Sequence, residues 1–307
     1  MEKMMFQPKN YFHGVLYSLI SLACLFPTVE TCFGQEKQVS FSKETNISYR
    51  PDEIQQTADE YQKSQCRLDL YWPENTTGYT TVIWFHGGGL TGGQRHIPEA
   101  MRKTRHWREG KLALAIVSYR LSPQVPYPVF IEDAAAAVAW ILQNIQNYGG
   151  DPEAVFVSGG SAGGYLTAMV GMDPRWLKPY NIQRTELAGL IPVSGQMTTH
   201  FHVKKLLNIP GDQYQPVIDE NAPLAHLSAN EIPPLLLILG DRQKEWKARV
   251  EENELMAASL RAMGHPLIYF SENPGWGHEI SSMSADLPQE TVDLIDTFID
   301  QACALKK

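Results

Sequence analysis

Residues 159–163 read Gly-Gly-Ser-Ala-Gly, a G-x-S-x-G pentapeptide that follows a short apolar run from Ala154 to Val157. The pattern singles out Ser161 as a nucleophile. A serine hydroxyl attacks poorly unless a base reaches it and N–H groups face the oxyanion that forms. A sharp strand-to-helix turn meets both needs, and small residues permit one. Gly159 and Gly163 have no Cβ to collide across the turn, and Ala162 and Gly164 start a helix whose N-terminal N–H groups face developing negative charge. Upstream, His86-Gly87-Gly88-Gly89 ends a second apolar run, Thr81 to Phe85, and leaves N–H groups pointing into open space. Downstream, Gly275-Trp276-Gly277-His278 lies in a loop between the strand-like run Pro266 to Phe270 and the last helix. A serine, a carboxylate and a histidine in that chain order would perform acyl transfer, the imidazole taking the hydroxyl proton and the carboxylate holding the imidazole.

Between the two glycine motifs stand Tyr119-Arg120-Leu121-Ser122-Pro123, then Pro128, Asp133 and Trp140 on a helical stretch, then Gly149-Gly150-Asp151-Pro152. With HGGG and GGSAGG, this set closely resembles the hormone-sensitive-lipase-like esterases and the related bifunctional feruloyl and acetylxylan esterase family, from about residue 65 to the C-terminus. The resemblance implies an α/β-hydrolase fold and oxyanion donors at Gly88, Gly89 and Ala162. It also places the base at His278. Arg120 and Asp133 read as ties beneath the elbow, and Asp151-Pro152 as a turn leading into its strand. The family often carries its acid three residues after the glycine that ends the seventh strand, and that position here is Gln243. Asp241, at the strand end, is the expected acid, with Glu245 and its longer arm as the alternative.

The elements that must position these groups follow from apolar runs alternating with amphipathic helices. Strands are expected at residues 66–72, 80–85, 112–118, 154–157, 187–193, 234–239 and 266–270, and helices at 98–109, 131–145, 162–172, 248–263 and 289–304. This alternation implies a mostly parallel sheet with helices on both faces, and the resemblance implies that the sheet has eight strands. Residues 194–230 break it and form a short insertion, mixed and polar rather than the apolar amphipathic helix of a lipase lid.

Residues 1–34 read as a signal peptide. Lys3 and Lys9 form a basic start, Val15 to Phe26 a mostly apolar run too short for the roughly 20 residues that span a bilayer, and Cys32-Phe33-Gly34 a cleavage site. An uncleaved anchor, or lipidation at Cys24 or Cys32, is the alternative. The expected location is secreted or periplasmic, with no stable membrane insertion after cleavage. Residues 35–307 are enough for one α/β domain. Lys3 and Lys9 balance Glu2 and Glu30, so the whole net charge of −8 stays with that domain, which disfavours nucleic acid and anionic membrane as partners. Cys66 and Cys303 form either one disulfide or two free thiols. No cofactor or metal is expected, and His200 and His202 lack acidic or thiol partners in sequence. The leading reading is a serine carboxylic-ester hydrolase acting on small or polysaccharide-linked esters. A prolyl-oligopeptidase-like peptidase, disfavoured because those enzymes usually carry a propeller domain, and a non-catalytic binder on the same fold are the alternatives.

Overall fold

The computed structural model describes residues 39–307. The expected signal peptide lies outside them. Eight strands, β1 (Phe41–Ser48), β2 (Arg67–Pro73), β3 (Tyr79–Phe85), β4 (Leu112–Val117), β5 (Gly150–Gly160), β6 (Gly189–Val193), β7 (Leu235–Gly240) and β8 (Ile268–Asn273), form one sheet in the order β1-β2-β4-β3-β5-β6-β7-β8. From β4 to β8 every pairing is parallel, while β2 runs antiparallel to both β1 and β4. Nine helices connect or flank the strands among the described residues: α1 (Asp52–Thr57), α2 (Glu60–Gln65), α3 (Glu99–Arg102), α4 (Arg105–Arg108), α5 (Val129–Asn144), α6 (Ala162–Met172), α7 (Phe201–Leu206), α8 (Arg249–Ala262) and α9 (Gln289–Ala304).

The central strands are mostly apolar because both of their faces are covered, with Thr80, Thr81 and Ser158 buried among them. In β7, Leu235, Leu237 and Leu239 pack into a core shared with α5, α6 and α8, whereas Leu236 and Ile238 pack into a second core with α9. In β4, Ala113, Ala115 and Val117 face the first core, and Leu112, Leu114 and Ile116 the second. Strand alternation thus divides one apolar run between two layers. Each fully buried Leu, Ile or Phe contributes on the order of 1.5–3 kcal/mol.

The structure adds α1, α2 and α7 to the expected helices, and it differs at two further places. Residues 98–109 form two short helices, because the Thr104 side chain accepts a hydrogen bond from the Trp107 N–H at 3.2 Å and starts a second helix there. The polar stretch before residue 63 contributes β1, an edge strand whose middle four residues are exposed, so its pairing leaves little apolar alternation to read. Cys66 and Cys303 are both free thiols.

Candidate active site

The ends of β3, β5, β6, β7 and β8 converge at the carboxyl edge of the parallel sheet, where open α/β sheets hold their sites. Ser161 stands between β5 and α6 with φ 54° and ψ −114°, a left-handed conformation that non-glycine residues rarely hold. The turn is tight enough that a Cβ on Gly163 would run into the Phe85 carbonyl, and one on Gly160 into the Ser281 carbonyl. The Ser161 N–H donates to Val193 O at 2.8 Å, and its own carbonyl accepts from the Tyr165 N–H at 3.0 Å, which fixes the elbow to β6 and to the helix it starts.

Ser161 Oγ lies 2.8 Å from His278 Nε2, and His278 Nδ1 lies 2.6 Å from Glu245 Oε1. Because an ionised carboxylate only accepts, Nδ1 must carry the ring proton, leaving Nε2 free to accept from the serine hydroxyl. The Glu245 side chain is fully buried. Its Oε1 also accepts from the Trp246 N–H at 2.9 Å, and its Oε2 accepts from the Ser194 hydroxyl. Burial works against its ionisation, but the hydrogen bonds from His278 and Ser194, the His278 charge and the Trp246 N–H together bring the carboxyl down to about 2.

Asp241, expected to face His278, does not. Its Oδ1 accepts from the Gln243 N–H at 2.9 Å and its Oδ2 from the Gly275 N–H at 3.0 Å. Its carbonyl accepts from the N–H groups of Lys244 and Glu245, both at 2.8 Å, so the chain rewinds in one helical turn after β7. That turn carries the residue-245 side chain back under the imidazole and leaves Gln243 exposed. Asp241 therefore builds the loop that brings Glu245 to His278 and braces it against the histidine loop.

The glycine run lies against Ser161: a Cβ on Gly87 would come within 3.3 Å of Ser161 Cβ. Gly88 and Gly89 have φ of 114° and 63°, and no acceptor among the described residues takes their N–H groups. Ala162 is the first residue of α6, with its N–H at the positive end of the helix. Behind the run His86 stacks on Tyr119 with ring centroids 4.5 Å apart, and burial pushes its imidazole down to about 4, so it serves as neutral packing. Trp246, 43% exposed, stacks on the His278 ring at 4.7 Å and 22°, and Phe201 stands 5.7 Å from it. These two aromatic residues stand beside the relay, and a Cβ on Gly89 would come within 3.5 Å of Phe201 Cζ. Sequence reasoning missed Trp246 and Ser194 as site residues, while Phe201 lies in the expected insertion at 194–230. Beneath the site Asp133 is fully buried and accepts from the Arg120 side chain and backbone at 2.7–3.0 Å and from Arg50.

No cluster of three or more His, Cys, Asp or Glu among the described residues could hold a metal ion. His200 Nδ1 accepts from the His202 N–H at 3.2 Å and caps α7. No described helix is long and apolar enough to cross a membrane.

The BD-FAE model matches residues 68–178, and the model of the prolyl oligopeptidase family matches residues 129–305, more than half of the chain. The chain is 26% identical over 236 residues to Esterase LipC of Mycobacterium tuberculosis, a match covering 72% of this chain and 58% of LipC. It thus spans little more than half the length of that relative. Among solved structures it is similar to a phosphonate-inhibited esterase B from Lactobacillus rhamnosis (TM-score 0.66, 22% identity, 87% of each chain). It is also similar to a truncated carbohydrate esterase from gut microbiota (TM-score 0.61, 19% identity, 87% of this chain and 98% of the other). With the parallel sheet, the elbow and the glycine run in place, the chain belongs to the α/β-hydrolases of the prolyl oligopeptidase family, with a BD-FAE segment at residues 68–178.

Proposed function

We propose that this protein is a secreted carboxylic-ester hydrolase that works through an acyl-enzyme on Ser161. The observation that carries the reading is the unbroken relay from Ser161 Oγ through His278 to Glu245, set beside a run of N–H groups with no internal acceptor. In this mechanism Oγ attacks the ester carbonyl as its proton passes to His278 Nε2. Glu245 then faces an imidazolium, and its negative charge stabilises that ion. The N–H groups of Gly88, Gly89 and Ala162 receive the oxyanion, each such donor being worth about 10²–10³ in rate where measured elsewhere. The protonated Nε2 returns its proton to the leaving alkoxide, and water repeats the cycle to release the acid.

The substrates we propose are short acyl or feruloyl esters of polysaccharides. The Trp246 and Phe201 pair suits a planar acyl group or the apolar face of a sugar, and the carbohydrate esterase neighbour and BD-FAE segment support the same choice. Secretion rests on Lys3, Lys9 and the apolar run Val15 to Phe26. The match to the prolyl oligopeptidase family favours a second reading, a peptidase using the same relay.

A panel of p-nitrophenyl acetate and butyrate, acetylated xylan, methyl ferulate, long-chain triglyceride and a prolyl p-nitroanilide peptide separates these readings. Turnover of the short esters and of at least one polysaccharide-type ester is expected. Cleavage of the anilide alone would establish the peptidase, and no turnover of any member would point to a binder.

A further inference from the structure

The acid of this site is approached by a buried hydroxyl that the relay itself does not use. Ser194 follows β6 directly, is fully buried, and has φ 53°, a conformation that persists only where the surroundings impose it. Three contacts do so. The Ser194 N–H donates to Ile238 O at 2.7 Å and its carbonyl accepts from the buried Arg249 guanidinium. The next residue, Gly195, abuts α6 so closely that a Cβ there would come within 2.8 Å of the Gly164 carbonyl carbon. The side chain held this way donates its hydroxyl proton to Glu245 Oε2, and its oxygen lies 3.3 Å from His278 Nδ1.

This placement addresses a weakness of a glutamate acid. Its terminal torsion is broad and roughly two-fold, so a glutamate must be fixed at the carboxylate itself if one oxygen is to stay aimed at the imidazole. The Trp246 N–H and His278 both hold Oε1, and Ser194 is the hydroxyl that holds Oε2. We propose that Ser194 is a positioning residue of the reaction, acting through Glu245 to keep Oε1 aligned with His278 Nδ1 and not touching substrate. The inference rests on the relay proposed above.

The test is a double-mutant cycle in kcat and KM over Ser194→Ala, Ser194→Gly, Glu245→Gln and the Ser194→Ala/Glu245→Gln double variant. Ser194→Gly removes the hydroxyl while relieving the positive φ, so it reports the hydroxyl alone if the alanine variant folds poorly. We expect Ser194→Ala and Ser194→Gly each to lower kcat about 10- to 100-fold with KM within about threefold. Adding Ser194→Ala to Glu245→Gln should cost less than about twofold further, because its route of action is already gone. Wild-type kcat in Ser194→Gly, or a full further loss in the double variant, would overturn the inference while leaving the relay intact. A fully active Glu245→Gln variant would overturn the relay itself and this inference with it.

Discussion

Two buried carboxylates hold this molecule together in different ways. Asp133, on α5, faces the permanent charges of Arg50 and Arg120 together with the Arg120 backbone N–H. Glu245, in the turn after β7, faces an imidazole, a hydroxyl and a backbone N–H. Burial opposes ionisation at both, and in both the donors win, holding each carboxyl below its ordinary value. The difference lies in the partner. A guanidinium keeps its charge at every working pH, so Asp133 can only hold structure. In the proposed relay an imidazole gains charge when Ser161 releases its proton, so the interaction at Glu245 would strengthen during the reaction and stabilise the transition state selectively.

The comparison is sharpened most by amide substitution at each carboxylate. Glu245→Gln should lower kcat by about 10²–10⁴-fold with little loss of thermal stability, measured by ester turnover and by melting. Asp133→Asn should do the reverse. Removing one charge from a buried pair costs roughly 3–5 kcal/mol, so Tm should fall by roughly 10 °C while the folded fraction keeps its kcat. A strong kcat loss in folded Asp133→Asn would erase the distinction.

A smaller effect is expected at Asp241, whose carboxylate accepts only backbone N–H groups of its own turn and of the histidine loop. Asp241→Asn keeps one of those acceptor oxygens, and kcat should fall less than about tenfold. A loss matching that of Glu245→Gln would mean that the loop geometry, more than the carboxylate, sets the rate.

The smallest effect concerns acid unfolding. Glu245 titrates near about 4.3 when unfolded and about 2 when folded, so its stabilising contribution is complete above the first value and disappears as pH falls through the second. Between those limits the unfolded chain binds the extra proton, and stability rises with pH. Denaturant titrations of Glu245→Gln across that window should show a shallower pH slope than wild type, by as much as one proton.

The contrast between the carboxylates also marks what the sequence could convey. Ser161, His278 and the glycine run were legible because each is announced by glycines whose missing Cβ atoms the turns require, and the apolar alternation located the strands that end at them. The partner of His278 was not, because the direction of a side chain after β7 depends on whether the chain runs on or rewinds, and Asp241 at the strand end was expected ahead of Glu245. Gln243, standing where the family often has its acid, was the signal that the carboxylate had moved. Ser194 gave no signal at all: a serine after a strand is ordinary until its positive φ and its neighbour across the sheet are seen. Asp133 was legible as a tie, but its second partner Arg50 lies 83 residues away in the chain, beyond any local pattern.

The central claim, that Ser161 is a nucleophile activated by His278, is tested most directly by mass spectrometry of the protein after treatment with a fluorophosphonate. The relay predicts one adduct, on Ser161, absent in Ser161→Ala and formed far more slowly in His278→Ala. Labelling of Ser161→Ala at an equal rate, or an adduct on any other residue of the active wild-type protein, would contradict it.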